Sequence, residues 1–255
     1  MAVDESLLQT FGSERVNTGG ISSDGVKTDG VNTDGVNTGG WILRFYSWSE
    51  PTLSLGYFQN HKDRQNHEAS RECPLVRRAS GGGAIMHDRE LTYSFVAPVT
   101  HRFAANVELI YDLFHETLIA SIAELTGSAA ELCVPSDKVA RADEPFLCFQ
   151  RRAKGDVLID GNKVCGSAQR RRKNSVLQHG SVLLDQSPFA PELPGIVQLT
   201  GKSVTSDELV HRWLSHLSIQ LNIPSKYAQL EEQEKKHALE IEGAKFGNAG
   251  WTERR

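Results

Sequence analysis

Strand-forming segments in this chain arrive in pairs joined by very short turns. GDVLIDGNKVCGSAQ (Gly155–Gln169) reads as two strands about a turn at Asp160-Gly161-Asn162, and AIMH followed by LTYSFVAP reads as another hairpin turning at Asp88-Arg89-Glu90. A turn this short can reverse a strand but cannot carry the crossover that a parallel neighbour requires. WILRFYSW, PTLSLGYF, LVRRA and SVLQHGSVLL supply further strands. Helices are interspersed. Asn106–Leu125 places Val107, Ile110, Phe114, Leu118, Ile122 and Leu125 on one face, with Asn106 as N-cap and Gly127 as stop. The first fifteen residues predict a short helix with Val3, Leu7, Leu8 and Phe11 on one side. A further helix spans Ser206–Leu221 behind a Thr205/Glu208 capping box, and EEQEKKHALEIE predicts a charged, solvated helix. The expectation is an α+β fold: a mixed, largely antiparallel sheet flanked by helices, in a single domain spanning residues 1–255.

Val16–Gly40 stands apart. It holds five pentads (VNTGG, ISSDG, VKTDG, VNTDG, VNTGG), each ending in glycine and too poor in apolar residues to build its own core. It is expected to be a mobile inserted loop. Asp24, Asp29 and Asp34 lack the full ligand set of a calcium loop. Ser136–Glu144 is polar and poorly patterned.

The remaining bulk properties exclude more than they suggest. The formal net charge of -4 gives no reason to expect a nucleic-acid partner. No apolar run approaches the roughly 20 residues of a membrane helix, and the acidic start does not resemble a secretory signal. A cytoplasmic monomer is expected, with no membrane association. Cys73, Cys133, Cys148 and Cys165 are too irregularly spaced for a zinc site or a disulfide framework, so free and mostly buried thiols are expected, with no metal.

Three segments carry candidate chemistry. In RRASGGGAIMHD (Arg77–Asp88), three consecutive glycines serve either a tight turn or a close approach of backbone to ligand. Their N–H groups, with Arg77 and Arg78 beside them, suit a carboxylate, phosphate or thioester carbonyl. No Gly-Lys-Ser/Thr follows, so this is not a phosphate-binding P-loop. In NKVCGSAQRRRKNSVLQHG (Asn162–Gly180), Lys163 alternates with apolar Val164 on a strand. The run Arg170-Arg171-Arg172-Lys173 is either a solvated hairpin tip or a docking patch for an acidic protein. In EPFLCFQRR (Glu144–Arg152), Cys148 lies among apolar residues. His87, His115 and His179, taken singly, read as structural rather than catalytic.

The order of these segments resembles one family. MAVDESLL, LRFYSWSEPTLSLGYFQ, RRASGGGAIMHDRELTYSFVAP, CF, GNKVCGSAQRRRKNSVLQHGSVLL and KFGNAGW are similar to the lipoate–protein ligase A and octanoyltransferase family over nearly the whole chain outside Val16–Gly40. The resemblance implies the biotin/lipoate protein ligase fold, related to class II aminoacyl-tRNA synthetase cores. It implies that Arg77, Arg78, Ser80, Gly81, Gly82, Gly83, Ala84 and His87 wrap the acyl group, together with Gly166, Ser167, Ala168, His179 and Gly180. Lys163 matches the lysine that contacts the acyl carbonyl.

Two chemistries occur in such a family. Cys148-Phe149, LQHGSVLL and DRELTYS resemble the cysteine-dependent octanoyltransferase branch, whereas SGGGA is closer to the ligases. The transferase reading makes Cys148 the nucleophile and needs no cofactor. Its donor is an octanoyl-acyl-carrier protein; its acceptor is the lipoyl domain of a 2-oxoacid dehydrogenase or the glycine cleavage H protein. The alternative is an ATP-dependent lipoate ligase, which uses ATP and magnesium. A biotin ligase and a non-catalytic acyl-binding protein are the outlying readings. A free thiol is mostly protonated at neutral pH. An ammonium about 4 Å away supplies on the order of 4 kcal/mol of thiolate stabilisation at an effective dielectric of 20. Lys163 beside Cys148 is therefore the expected activating pair.

Overall fold

The computed structural model describes residues 1–12, 26–28, 40–100, 104, 106–134, 144–221 and 229–255. In chain order the elements are α1 (Ala2–Gly12), β1 (Val26–Thr28), β2 (Trp41–Tyr46), β3 (Thr52–Leu55), β4 (Leu75–Arg77), β5 (Ile85–His87), β6 (Glu90–Pro98) and α2 (Val107–Thr126). They continue with β7 (Glu131–Leu132), β8 (Val157–Ile159), β9 (Asn162–Arg172), β10 (Ser175–Leu183), α3 (Ile196–Thr200), α4 (Ser206–Leu221), α5 (Glu232–Ile241) and α6 (Ala249–Thr252). Among the described residues, seven strands form an antiparallel sheet in the order β1-β2-β6-β10-β9-β8-β7. A small mixed sheet, β4-β3-β5, lies beside it. The expected α+β architecture is observed.

Both faces of the large sheet are covered, which explains why its central strands are nearly continuous apolar runs. Alternate residues diverge: Trp41, Leu43 and Phe95 point toward α2 and α4, while Ile42 and Val96 point toward α1. Trp213 of α4 is fully buried and donates its Nε1–H to Phe114 O at 3.2 Å and Thr117 Oγ1 at 3.0 Å, locking α4 onto α2. The predicted caps form. Asn106 Oδ1 accepts from Glu108 N at 2.9 Å, and Gly127 closes α2 at φ 73°. Thr205 N donates to Glu208 Oε2 at 2.9 Å ahead of α4.

The β8–β9 hairpin turns as expected, through Asp160 and Gly161 at φ 47° and 72°, two successive residues in the left-handed region. The other expected hairpin does not form. β5 pairs with β3 in the small sheet, while β6 sits between β2 and β10 in the large one. Asp88-Arg89 turns a corner between sheets. The driving force is burial: β6 is buried at eight of its nine positions, which only the centre of a two-sided sheet provides.

α5 is less solvated than its charge suggested, since Ala238 and Ile241 are buried and His237 Nδ1 lies 3.0 Å from Ser6 Oγ of α1. Within the pentad segment, Val26–Thr28 pairs antiparallel with Trp41–Leu43; its other residues, apart from Gly40, lie outside the described residues, as does most of Ser136–Glu144. Among the described residues no helix is long and apolar enough to cross a membrane.

Candidate active site

The site begins where the two sheets meet. Ala84 bridges Leu147 in parallel: Ala84 N donates to Phe146 O at 2.9 Å, and Cys148 N donates to Ala84 O at 2.7 Å. These two bonds hold the 3-10 turn Cys148–Gln150 against the glycine segment. The result is a partly enclosed cavity of about 320 Å³ between the glycine loop, the Cys148 turn and strands β9 and β10.

The structure separates the two arginines that precede the loop. Arg77 is buried with its guanidinium turned away from the cavity, donating to Thr252 O (2.9 Å), Gly56 O (3.0 Å) and Gln59 O (2.7 Å). It is a tie for the C-terminal segment and not part of the lining. Arg78 does line the cavity. It donates to Ser54 O (2.9 Å), Gly81 O (2.9 Å) and Gly83 O (2.6 Å), so the loop closes around its guanidinium. Burial pushes Arg78 down to about 10, which leaves it charged at neutral pH with only carbonyls for partners. Gly82 adopts φ 95°, and a Cβ there would lie 3.0 Å from Arg78 Nη2 and 3.7 Å from Cys148 Sγ. The guanidinium and the sulfur thus border the same glycine. Among the described residues no protein group accepts the N–H of Gly81, Gly82 or Gly83.

Of the remaining expected residues, Cys148, Gly81, Gly82, His87, Gly166, Ser167, Ala168, His179 and Gly180 line the cavity. Ser80, Gly83 and Ala84 do not. Ser80 instead holds His179, Oγ to Nε2 at 2.6 Å, and burial pushes that imidazole down to about 4, so it is neutral near pH 7. His87 stacks on Trp48 at 4.1 Å, with Nδ1 2.9 Å from buried Glu90.

Lys163 departs from its expected place. Its Nζ pairs with Asp156 Oδ2 at 2.8 Å, both side chains buried, and it is not part of the lining. It packs on Gly166, where a Cβ would lie 2.6 Å from Nζ, and its ammonium sits 5.6 Å from the Phe149 ring centroid. Lys163 thus packs against two residues of the lining, Gly166 and Phe149. Lys163 has Asp156 as its ion-pair partner, while Arg78 and the Cys148 sulfur border the same glycine. A buried ammonium takes a carboxylate when one is within reach, because leaving either charge alone is far more costly. The basic run is also engaged: Glu5 pairs with Arg172 (2.9 Å) and Arg170 (3.6 Å), and Arg171 donates to Ala104 O at 2.9 Å. Three of its four cations thus have partners within the chain.

Several lining groups escaped the sequence reading: Trp48, Tyr111, Phe149 and, behind the lining, Asp156; His115, read there only as a single histidine, also lies behind it. Gly155 O can only accept, so His115 Nδ1 carries the proton at 2.5 Å. Burial lowers His115 and keeps it neutral, so Nε2 accepts the Ser167 hydroxyl at 2.6 Å. Tyr93 then donates to Ser167 Oγ at 2.7 Å, and Gln178 Nε2 to Tyr93 Oη at 2.8 Å. Only the Phe149 position, directly after Cys148, carried a sequence signal. The others depend on which strands become neighbours.

Comparisons with known proteins show the family and the fold. Residues 1–218 match the model of the lipoyl protein ligase A/B catalytic domain. The octanoyltransferase LipM of Bacillus subtilis is 31% identical over 242 residues, covering 84% of this chain and 87% of that protein. Its counterpart from Geobacillus kaustophilus is 30% identical over 84% and 86% of the two chains. In fold, lipoate-protein ligase A bound with ATP superposes with a TM-score of 0.71 at 20% identity, covering 99% of this chain and 92% of that one. A bi-partite lipoate protein ligase from Thermoplasma acidophilum gives 0.68 at 20% identity, over 99% and 89%. The chain belongs to the lipoyl protein ligase A/B catalytic-domain family.

Proposed function

We propose that this chain is an octanoyltransferase of protein lipoylation, moving an octanoyl group from an acyl-carrier-protein thioester to a lysine of a lipoyl domain through a thioester on Cys148. The observation that carries this reading is the placement of the cysteines. Cys148 is half-buried and lines the cavity, whereas Cys73, Cys133 and Cys165 are buried. Burial pushes the Cys165 thiol far up, which removes it as a nucleophile.

The Cys148 sulfur attacks the octanoyl carbonyl, and the carrier leaves as a thiolate. The Arg78 guanidinium on the other side of Gly82 supplies the positive field that Lys163 was expected to supply. The N–H groups of the glycine loop are the candidates to meet the developing oxyanion. Burying the six methylenes of an octanoyl chain contributes roughly 5 kcal/mol, and the apolar portion of the cavity wall (Ile85, Phe149, Trp48) suits that load. The acceptor lysine then attacks the enzyme thioester, forming the amide and freeing the Cys148 thiol. One thioester replaces another and an amide follows, so no nucleotide is consumed. Lys163 is assigned a positioning role: with Asp156 it fixes the β9 wall behind Gly166.

The family also contains ligases bound with ATP. Magnesium held with nucleotide phosphates takes one or two carboxylates. Among the described residues the cavity lining has none, and no cluster of three His, Cys, Asp or Glu side chains could hold a metal. The described walls do not fit a resident magnesium ion. The test is octanoyl transfer from the carrier with ATP absent, followed by intact mass of the enzyme. An octanoyl adduct that disappears on adding lipoyl domain is expected, and strict ATP dependence without an adduct would replace this reading with the ligase.

A further inference from the structure

A second surface lies at the rim of the cavity, built by parts of the chain the mechanism does not use. Trp251 Nε1 donates to Arg77 O at 2.8 Å, Arg77 Nε donates to Thr252 O at 2.9 Å, and His61 N donates to Arg255 O at 2.8 Å. These bonds lay the segment Trp251–Arg255 along the loop Gly56–Asn60. The Arg254 guanidinium then stacks 3.7 Å from the Tyr57 ring centroid and 4.1 Å from that of Trp251. Arg255 stands 5.5 Å from the Phe58 ring. Phe58 is 56% exposed. This platform adjoins the active site: Tyr57 N donates to Ser80 O at 2.9 Å, and a Cβ on Gly81, which lines the cavity, would lie 3.8 Å from Phe58 Cδ2.

The guanidinium charges here lack an acidic side-chain partner. Among the described residues no Asp or Glu side chain pairs within 4.0 Å with Arg254 or Arg255, whereas Arg170, Arg172 and Lys245 share Glu5. Glu253 is exposed and pairs with neither. In a chain of net charge -4, two guanidinium groups over aromatic rings, without an Asp or Glu partner and beside an exposed phenylalanine, form a local cationic platform at the mouth of the cavity. Planar guanidinium groups held in place by aromatic rings match a phosphodiester or carboxylate face better than a mobile ammonium does.

We propose that the Arg254–Arg255–Phe58 platform docks the donor: an acidic carrier protein that presents its acyl thioester at the end of a phosphate-linked arm. The acceptor fits poorly, because it brings a lysine ammonium to the same mouth, and two guanidinium groups would repel it. The donor brings a neutral thioester behind an anion. The assignment rests on the transferase reading for the identity of the partner.

The test uses the full chain and an R254E/R255E variant, with carrier binding measured by calorimetry. ATP-free transfer is followed from octanoyl-carrier protein and from a short octanoyl thioester lacking carrier and phosphate. Charge reversal is expected to weaken carrier binding about tenfold or more and to raise the carrier KM by a similar factor. With the short thioester, kcat/KM stays within about twofold. Raising ionic strength from about 0.01 M to about 0.15 M cuts the screening length from roughly 30 Å to roughly 8 Å, which should weaken carrier binding to the unaltered chain and not to the variant. Unchanged carrier affinity overturns the proposal. So does weakening confined to the lipoyl-domain acceptor, or an equal loss with the short thioester, which would give the arginines a purely structural role. Carrier binding through these arginines without ATP-free turnover would sink the transferase reading and leave the docking surface standing. Turnover of the short thioester without carrier affinity would do the reverse.

Discussion

The two walls of the cavity differ in how they treat charge. On the glycine-loop wall, Arg78 is buried among carbonyls of Ser54, Gly81 and Gly83, so its positive charge reaches the Cys148 sulfur without a counter-ion. On the β9–β10 wall, Lys163 is cancelled by Asp156, and the neighbouring polar groups (His115, Ser167, Tyr93) form a neutral chain in which each described proton has an acceptor. On the proposed mechanism one wall polarises and the other positions. The lesson is that proximity to a lysine in sequence is a poor guide to a nucleophile's field, because a buried lysine is generally already spoken for.

Removing the two cysteines tests this contrast with the largest effect. Cys148→Ala should lower ATP-free transfer on the order of 10³-fold or more and abolish the enzyme-bound octanoyl mass. Cys165→Ala, on the neutral wall, should keep the adduct and most of the rate. A Cys148→Ala protein with full transfer activity would end the covalent mechanism.

The Lys163–Asp156 pair comes next. Lys163→Ala leaves a buried carboxylate unpaired and should cost about 3–5 kcal/mol in urea unfolding, alongside loss of activity. Lys163→Met with Asp156→Leu removes both charges and should recover most of that stability. If it also recovers turnover, the pair only positions the wall. Recovered stability without turnover would give the lysine a direct part in the chemistry and blur the contrast between the walls.

A third expectation concerns pH. His179 titrates near 4 in the folded chain because burial disfavours its cation, against 6.5 for an ordinary imidazole. The unfolded chain binds that proton first. Stability should be intact above about pH 6.5 and fall as pH drops from there toward 4, by about 3 kcal/mol from this group. His179→Gln, which keeps a partner for Ser80, should flatten that slope in urea titrations across the window. An unchanged slope would mean that the β10 side of the cavity admits a cation after all.

Sequence patterning captured what local rules control. α2 and α4 were legible from periodicity and caps, and the β8–β9 turn from Asp160-Gly161. The β5–β6 hairpin was misread because Asp88-Arg89 suits a corner between sheets as well as a reversal, and only burial of β6 on both faces decides between them. The glycine loop, Cys148 and His179 were identified through their motifs, and the cavity gathers them. The orientation of Arg77 away from the site, the Asp156 partner of Lys163 and the Tyr111 and Trp48 walls were not legible, since each is set by long-range strand order.

The smallest expected effect sits at the seam between Arg78 and Cys148. Gly82 at φ 95° occupies backbone space that an L side chain enters at a cost of roughly 1–2 kcal/mol, so Gly82→Ala should destabilise the chain by about that much. Its methyl group would also press on Arg78 Nη2 at 3.0 Å and stand 3.7 Å from Cys148 Sγ. The neighbour that must give way is the guanidinium, which is held by three carbonyls and has little freedom to move. Acylation of Cys148 by a short octanoyl thioester, read by stopped-time mass, should therefore slow more than the loss of stability alone would explain, while carrier affinity at the rim is unchanged. If acylation proceeds at the original rate in a folded Gly82→Ala protein, the Arg78 field is not what activates the sulfur, and the distinction between a polarising wall and a positioning wall fails at its central point.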